Sequence, residues 1–185
     1  MSACSWSKKN PMMQQYHDKE WCVPSHDDAY IFEMLTLEGA QAGLSWNTIL
    51  SKREAYRNAF HDFDISYCLK LTDEELDSIK EQYNVIKNPA KIKSVRSNAL
   101  AVIKIQEEFG SFSDYLWRYV DFSPIINHWE SDQIPAQTVL SEQISKDFKK
   151  RGFKFVGPVI IYSFMQSIGL VDDHIRTCPY HSLNR

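Results

Sequence analysis

The chain has 185 residues, of which 43% are hydrophobic and 24% are charged, and these proportions suit one globular domain with a buried core. No apolar run approaches the ~20 residues that span a bilayer, and the first eleven residues lack a secretory signal, so we expect a cytoplasmic protein without membrane association. The formal net charge of -3 gives no support to nucleic-acid binding, and four scattered cysteines exclude a disulfide scaffold and favour metal binding or burial.

Helical periodicity dominates the chain from its first quarter onward. Apolar residues recur at helical spacing over residues 27–43, and Gly43 is expected to end that helix. Ser45 is a candidate cap for the helix that follows. Residues 72–75 have the form of a capping box and open a short helix, while Pro89 suits the first turn of a long helix that ends at Gly110. Shorter helices are predicted over residues 113–120, 141–150 and 158–168.

Strand alternation is nearly absent from the sequence. Residues 153–156 are the only strand candidate and are too few to support a sheet. Residues 122–140 contain Pro124 and Pro135 without a clear period, which indicates a long connection. The prediction is therefore an all-α fold, with a single domain spanning residues 1–185.

Basic side chains are clustered despite the acidic net charge. Each cluster taken alone is best interpreted as a solvated helix face. The clusters are Lys52, Arg53 and Arg57; Lys87, Lys91, Lys93 and Arg96; and Lys146, Lys149, Lys150, Arg151 and Lys154.

The two ends of the chain carry potential metal ligands, Cys4 and His17 near the start and His174 and Cys178 near the end. Two cysteines and two histidines suit a tetrahedral structural zinc that leaves no open catalytic position. Neither half has a common zinc-finger spacing, so a free Cys4 thiol and a capping role for His174 stay open. Spacing also leaves His181 as a competing ligand.

Glu38 is the most unusual residue of the first long helix, because it shares a helical face with Ile31 and Leu35. An ionised carboxylate on an apolar face is unfavourable unless a partner compensates it. The partner is either a backbone amide or arginine of the protein itself, or a ligand. Gly39 and Gly43 weaken the same helix by ~1 kcal/mol each, which points either to a close approach to the backbone or to helix packing.

Several motifs together resemble the 3-methyladenine DNA glycosylase I family. They run in order from Cys4 to Cys178 and cover nearly the whole chain. The matching stretches are YHDKEWCVP (16–24), EGAQAGLSW (38–46), KKRGFKFVG (149–157), YSFMQ (162–166), and Asp173-His174 followed by Cys178.

The resemblance implies a helix-hairpin-helix fold whose two ends are joined by one structural zinc, held by Cys4, His17, His174 and Cys178. The paired helices would be residues 72–82 and 89–109, with the hairpin at 83–88. In such hairpins backbone amides and basic side chains hold DNA phosphate. By this resemblance Lys87, Lys91 and Lys93 belong to the DNA-facing surface.

The resemblance also implies the activity and its site. The expected enzyme is a monofunctional repair glycosylase that flips 3-methyladenine out of double-stranded DNA and releases the free base. The pocket would be formed by Trp6, Tyr16, Glu38 and Trp46, with Trp21 beside it. Electron-rich rings attract the cationic base, and Glu38 is expected to select it by hydrogen bonds and to assist catalysis modestly. The family lacks the aspartate by which other helix-hairpin-helix glycosylases assist water, and no lysine is assigned a Schiff-base role.

This chain departs from the family pattern at a few positions. Cys22 stands where the family usually has Gly, and we interpret it as a small buried residue rather than an extra metal ligand. Asn84 takes the usual hairpin Gly position, which Asn tolerates better than most residues because it adopts a left-handed backbone. Asn88 and Pro89 replace more basic residues, which puts DNA affinity in question. Met13 stands near the pocket where an aromatic residue sometimes occurs.

Two readings from other classes compete with the enzyme. One is a protein that binds alkylated sites without excising the base, which the weakened hairpin favours. The other is a zinc-stapled helical interaction module with no nucleic-acid role, which the acidic net charge favours. Salt-dependent DNA binding separates the last from the other two. No pattern indicates oligomerisation, so we expect a monomer, and the sequence does not decide whether 3-methylguanine is also excised.

Overall fold

The computed structural model describes residues 4–131 and 133–185, and this part of the chain is mostly helical. Three short 3-10 helices, Ser5–Lys9, His61–Phe63 and Arg118–Val120, accompany the α-helices. The α-helices are α1 (Pro11–Lys19), α2 (Asp28–Gln41), α3 (Trp46–Leu50), α4 (Arg53–Ala59), α5 (Ile65–Lys70), α6 (Asp73–Gln82), α7 (Pro89–Phe109), α8 (Phe112–Trp117), α9 (Val139–Lys150) and α10 (Pro158–Ser167). In the described part of the chain, no helix has the length and apolar character that a membrane crossing requires.

The all-α prediction needs one correction, because two very short strands form. β1 (Ile125–Ile126) pairs in parallel with β2 (Val171–Asp172). Residues 153–156, the strand candidate of the sequence, form no strand. The two strands connect the long segment between α8 and α9 to the segment that follows α10. The backbone N–H of Asn127 continues this pairing by donating to the Asp172 carbonyl oxygen.

Helix α2 is the centre of the fold. Every residue from Ile31 to Ala40 is buried, and α2 packs against α3, α7, α8 and α10. A Cβ on Gly39 would lie 3.2 Å from the Cβ of Phe155, so the close approach of the segment between α9 and α10 accounts for this glycine. Gly43 has a φ of +82°, which favours glycine and turns the chain after α2.

The capping signals of the sequence are confirmed in α6 and α7. Thr72 and Glu75 form the reciprocal capping box of α6, and Asn88 caps α7 by accepting a hydrogen bond from the Lys91 amide. Residues 83–88 connect the two helices. Asn84 has no positive φ, so the turn forms without the left-handed backbone expected there.

The N-terminal helices were not predicted. The Asn10 side chain accepts a hydrogen bond from the Met13 amide, and Pro11 occupies the first turn of α1. Both are ordinary signals of a helix start, but the polar and aromatic residues around them obscure the apolar period. The 3-10 helix at Ser5–Lys9 and α1 together place Trp6, Tyr16 and His17 beside the core.

Candidate functional site

A cavity of about 370 Å³ opens beside the C-terminal half of α2. All five residues that the sequence assigned to a base pocket line it: Trp6, Tyr16, Trp21, Glu38 and Trp46. The Trp6 and Trp21 rings meet edge to face with centroids 5.0 Å apart, and the Tyr16 and Trp46 rings lie 5.3 Å apart. Among the described residues that line the cavity, Glu38 is the only one with a carboxylate, and it lies among these aromatic rings.

Glu38 has a buried carboxylate oxygen, Oε2, without a hydrogen-bond partner among the described residues. Burial raises the pKa of Glu38 to about 8, because an unpaired charge is unfavourable away from water. Burial, and next the nearby Glu38, raise the pKa of Tyr16 well above its ordinary value. The Trp46 indole Nε1 is likewise buried without a partner in the described chain. These unsatisfied groups provide a donor and an acceptor for a ligand.

The other buried glutamate of α2 has the opposite environment. Glu33 accepts hydrogen bonds from Arg53 and Arg57 at 2.7 to 3.2 Å. Burial acts to raise the pKa of Glu33, but the hydrogen bonds from the two arginines outweigh it and lower the pKa. The arginines that a buried Glu38 would need are therefore engaged elsewhere.

The four predicted metal ligands are brought together. Cys4, His17, His174 and Cys178 are completely buried, and their ligand atoms all lie within 4.8 Å of one another. The Cys178 sulfur is 3.5 Å from His174 Nδ1 and 3.7 Å from His17 Nε2, and the Cys4 sulfur is 3.8 Å from His174 Nδ1. Donors around tetrahedral zinc at ~2.0–2.3 Å lie roughly 3.3–3.8 Å apart, so this cluster fits a metal ion.

The second nitrogen of each histidine has a partner outside the cluster. His17 Nδ1 lies 2.7 Å from an Asp18 carboxylate oxygen, and His174 Nε2 lies 3.2 Å from the Trp21 carbonyl oxygen. Such partners orient metal-ligating imidazoles. Burial, with the neighbouring His17, lowers the pKa of His174 to about 4, which keeps it neutral. His181, the competing ligand, instead lies 2.9 Å from the Asn127 carbonyl oxygen and accepts from the Leu183 amide.

Comparison with known proteins identifies the family. The model of the methyladenine glycosylase family matches residues 6–181. A DNA-3-methyladenine glycosylase of Haemophilus influenzae is 42% identical over 177 residues, covering 95% of this chain and 96% of that protein. DNA-3-methyladenine glycosylase 1 of Escherichia coli K12 is 41% identical and covers 100% of both chains. The chain belongs to the methyladenine glycosylase family.

Solved structures agree with this family assignment. A crystal structure of 3-methyladenine DNA glycosylase I has a TM-score of 0.93 and 44% identity, and the match covers 97% of this chain and 100% of that one. A variant of such an enzyme in complex with 3-methyladenine has a TM-score of 0.94 and 36% identity, with 98% of each chain covered. The resemblance inferred from the motifs is confirmed at the level of the family.

Within this methyladenine glycosylase, several cavity residues were not predicted from the sequence. The further lining comes from the N-terminal helices, from α10 and from the connection before α9, and includes Lys9, Ile134, Pro135, Ala136, Tyr162, Ser163 and Gln166. The α10 residues belong to the matching stretch 162–166, but the motif alone gave them no role. The polar residues Ser163 and Gln166, in a mostly apolar helix, were the available signal. Met13 lines the cavity as expected.

The backbone at Cys22 has a conformation that favours glycine. Its φ is +60°, a backbone conformation that L side chains rarely adopt. The Cys22 thiol is buried and accepts a hydrogen bond from the Asp173 amide at 3.3 Å. Burial raises the pKa of the Cys22 thiol well above its ordinary value. Burial and the hydrogen bond suit a small buried residue, while Cys22, Asp172 and His174 also form a second group whose ligand atoms lie within 4.8 Å of one another.

Proposed function

We propose that this member of the family is a DNA repair enzyme that hydrolyses the N-glycosidic bond of 3-methyladenine in alkylated DNA. The observation that carries the proposal is the partnerless buried oxygen of Glu38 in an aromatic cavity. Relatives at 41–42% identity bear the name DNA-3-methyladenine glycosylase, and one solved structure of the same fold is a complex with 3-methyladenine.

The cavity supports recognition of a flipped base. Its volume of about 370 Å³ is sufficient for a purine, and the base must leave the duplex stack to reach it. Methylation at N3 makes adenine cationic, and the faces of Trp6, Tyr16 and Trp46 attract a cation more strongly than a neutral base. A lesion that pairs badly also leaves the stack at lower cost.

Glu38 links recognition to charge. With its pKa raised to about 8, the carboxyl is protonated in the empty cavity at neutral pH. A cationic base beside it stabilises the carboxylate, which then accepts hydrogen bonds from the exocyclic amine and the ring edge. Neutral adenine carries no such charge and does not stabilise the carboxylate of Glu38. The attraction between the carboxylate and the cationic base therefore selects the lesion.

Bond cleavage demands little of the protein. The cationic base is a good leaving group that takes the electron pair of the glycosidic bond, and water adds to the sugar carbon C1′ of the oxocarbenium-like state. Glu38 has a modest catalytic role through its negative charge. Lys9 lines the cavity but no nucleophilic role is assigned to it, so base release without strand cleavage is expected.

We further propose that α6, α7 and the connection at residues 83–88 form the DNA-binding helix-hairpin-helix element. Lys87 in this connection is exposed and has no partner among the described residues, which suits a phosphate contact. Lys93 and Arg96 lie 3.2 and 2.5 Å from Asp77 and Asp73. The number of free cations on this element is therefore smaller than the sequence suggests.

The Cys4, His17, His174 and Cys178 cluster is proposed to hold one structural zinc ion. Four protein donors leave no position for water or substrate, so the ion would stabilise the fold rather than take part in the reaction. When bound, zinc joins the segment before α1 to the segment after β2, and it thereby supports Trp6 and Trp21 at the cavity wall.

The direct test is release of free base from methylated duplex DNA. The expected result is release of 3-methyladenine but not of 7-methylguanine, with intact strands after mild work-up. Folded protein that binds methylated DNA without releasing base would instead support the binding-only reading. Absence of any salt-dependent DNA binding would contradict both readings.

A further inference from the structure

The buried carboxylate of Asp173 lies next to the proposed metal ligand His174 and accepts four hydrogen bonds. Asn127 Nδ2 and Trp129 Nε1 donate to Oδ1 at 2.7 and 2.6 Å. The Tyr162 hydroxyl and Gln166 Nε2 donate to Oδ2 at 2.6 and 2.7 Å. Because an ionised carboxylate only accepts hydrogen bonds, Asp173 fixes the orientation of each donor.

The consequence is greatest for Gln166, which lines the cavity. A glutamine amide has one donor end and one acceptor end, and Asp173 binds the nitrogen. The remaining polar atom of the side chain is the carbonyl oxygen Oε1. No residue in the described part of the chain donates a hydrogen bond to it, and Gln166 is only half-buried. The side chain thus leaves the acceptor Oε1, and the second N–H of the same amide, without a partner among the described residues.

Gln166 lies near the C-terminal end of the α10 face that lines the cavity. Val159, Ser163 and Gln166 follow one face of α10, and all three line the main cavity. Glu38, Val159 and Ser163 also line a smaller cavity beside Gly43 and Leu44, whereas Gln166 does not. At ~1.5 Å per residue, Gln166 lies roughly 10 Å further along the helix than Val159.

Building on the proposed function, we propose that Gln166 Oε1 is a second acceptor for the exocyclic amine of the flipped base, oriented by Asp173. That amine has two N–H groups that point toward opposite edges of the purine, so one carboxylate cannot accept from both in good geometry. Glu38 accepts one hydrogen and Gln166 the other. A base with a carbonyl oxygen at the same position, such as 3-methylguanine, would place an acceptor against two acceptors and is disfavoured.

The test compares two free bases that differ only in the amine. Binding of 3-methyladenine and of 3-methylpurine, which lacks the amine, is measured by calorimetry with wild-type protein and with Gln166→Met. We expect the ratio of the two dissociation constants, which measures the preference for 3-methyladenine, to fall about tenfold in the variant. This is the effect of losing one hydrogen bond. Trp129→Phe is the matched control, because it removes a donor to the other Asp173 oxygen, lies outside the cavity lining and keeps the Gln166 amide in place. Its preference should stay within about twofold of wild type.

The outcomes separate this inference from the function on which it rests. If Gln166→Met weakens both bases equally, or neither, Gln166 does not bind the amine and the inference is wrong. If wild-type protein binds neither base, the proposed function itself fails. Should Gln166→Met not fold, Gln166→Asn shortens the side chain by one methylene and is expected to reduce the same preference; an unchanged preference would overturn the inference.

Discussion

Two glutamates of one helix show how a residue's surroundings decide its use. Glu33 and Glu38 are both buried in α2, but only Glu33 has arginine partners. The apolar helical face predicted that Glu38 is buried. It did not predict which glutamate the arginines of α4 would contact, because that depends on how α4 packs against α2. The partnerless carboxylate is therefore a property of the fold that one sequence does not reveal.

The unpaired Glu38 predicts a pH dependence of stability. The pKa of Glu38 is raised from an ordinary value of 4.5 to about 8 in the folded protein. Between these two pH values the carboxyl of the folded state therefore binds a proton that the unfolded state has lost. The free energy of unfolding should consequently fall by up to a few kcal/mol as the pH rises from about 4.5 to 8. Urea unfolding of Glu38→Gln is expected to lack this decrease. The exposed Glu54→Gln should keep it, and identical pH slopes for Glu38→Gln and wild type would contradict the account.

At the scale of the elements, sequence signals worked where they are local. Thr72 and Glu75 predicted the start of α6, and Pro89 and Gly110 predicted the limits of α7, because such signals depend on a few neighbouring residues. The two-residue strands were missed because β1 and β2 form through tertiary pairing between distant segments. The cavity wall from residues 134–136 was missed for the same reason, since the connection that carries it has no period.

Lys91 shows a corresponding limit for charges. The sequence assigned it to the DNA-facing surface, but its Nζ donates to the Ala40 and Ala42 carbonyl oxygens at 2.8 Å. Lys91 thus caps the C-terminal end of α2. This end of the helix lies three residues beyond Glu38. The contact ties the second helix of the proposed hairpin to the helix that carries Glu38.

Two lysine substitutions should therefore have different effects. Lys91→Met is expected to lower the free energy of unfolding by about 1–2 kcal/mol. Lys87→Met should leave stability unchanged, weaken DNA binding and reduce the salt dependence by about one phosphate contact. Chemical unfolding and salt titrations of DNA binding measure the two effects. If Lys87→Met proved the destabilising variant of the two, the assignment of these lysines would be wrong.

At the scale of the whole molecule, the Cys and His cluster joins segments 170 residues apart, as the Cys4 and His174 contact shows. Residue types predicted a possible zinc site, and the family resemblance selected the ligands. Only the fold shows that all four donors are buried together and that His181 is engaged elsewhere. A cross-link of this span stabilises a protein because it closes a long loop.

Metal removal should therefore destabilise the chain. Purified protein is expected to contain one zinc ion per chain by elemental analysis, and Cys178→Ala should lose it and unfold at lower temperature. Cys68→Ala is the matched control, since Cys68 is buried outside the cluster and its substitution should leave the zinc content intact. Zinc-free native protein, or equal zinc content in both variants, would contradict the metal assignment.

The most direct test of the central claim is single-turnover release of 3-methyladenine from methylated duplex DNA by wild type, Glu38→Ala and Glu54→Gln. The account predicts that wild type and Glu54→Gln release the base at similar rates and that Glu38→Ala is slower by roughly 100-fold, as for loss of a hydrogen bond to a charged group. Release by Glu38→Ala at the wild-type rate would contradict the assignment of this cavity as the active site.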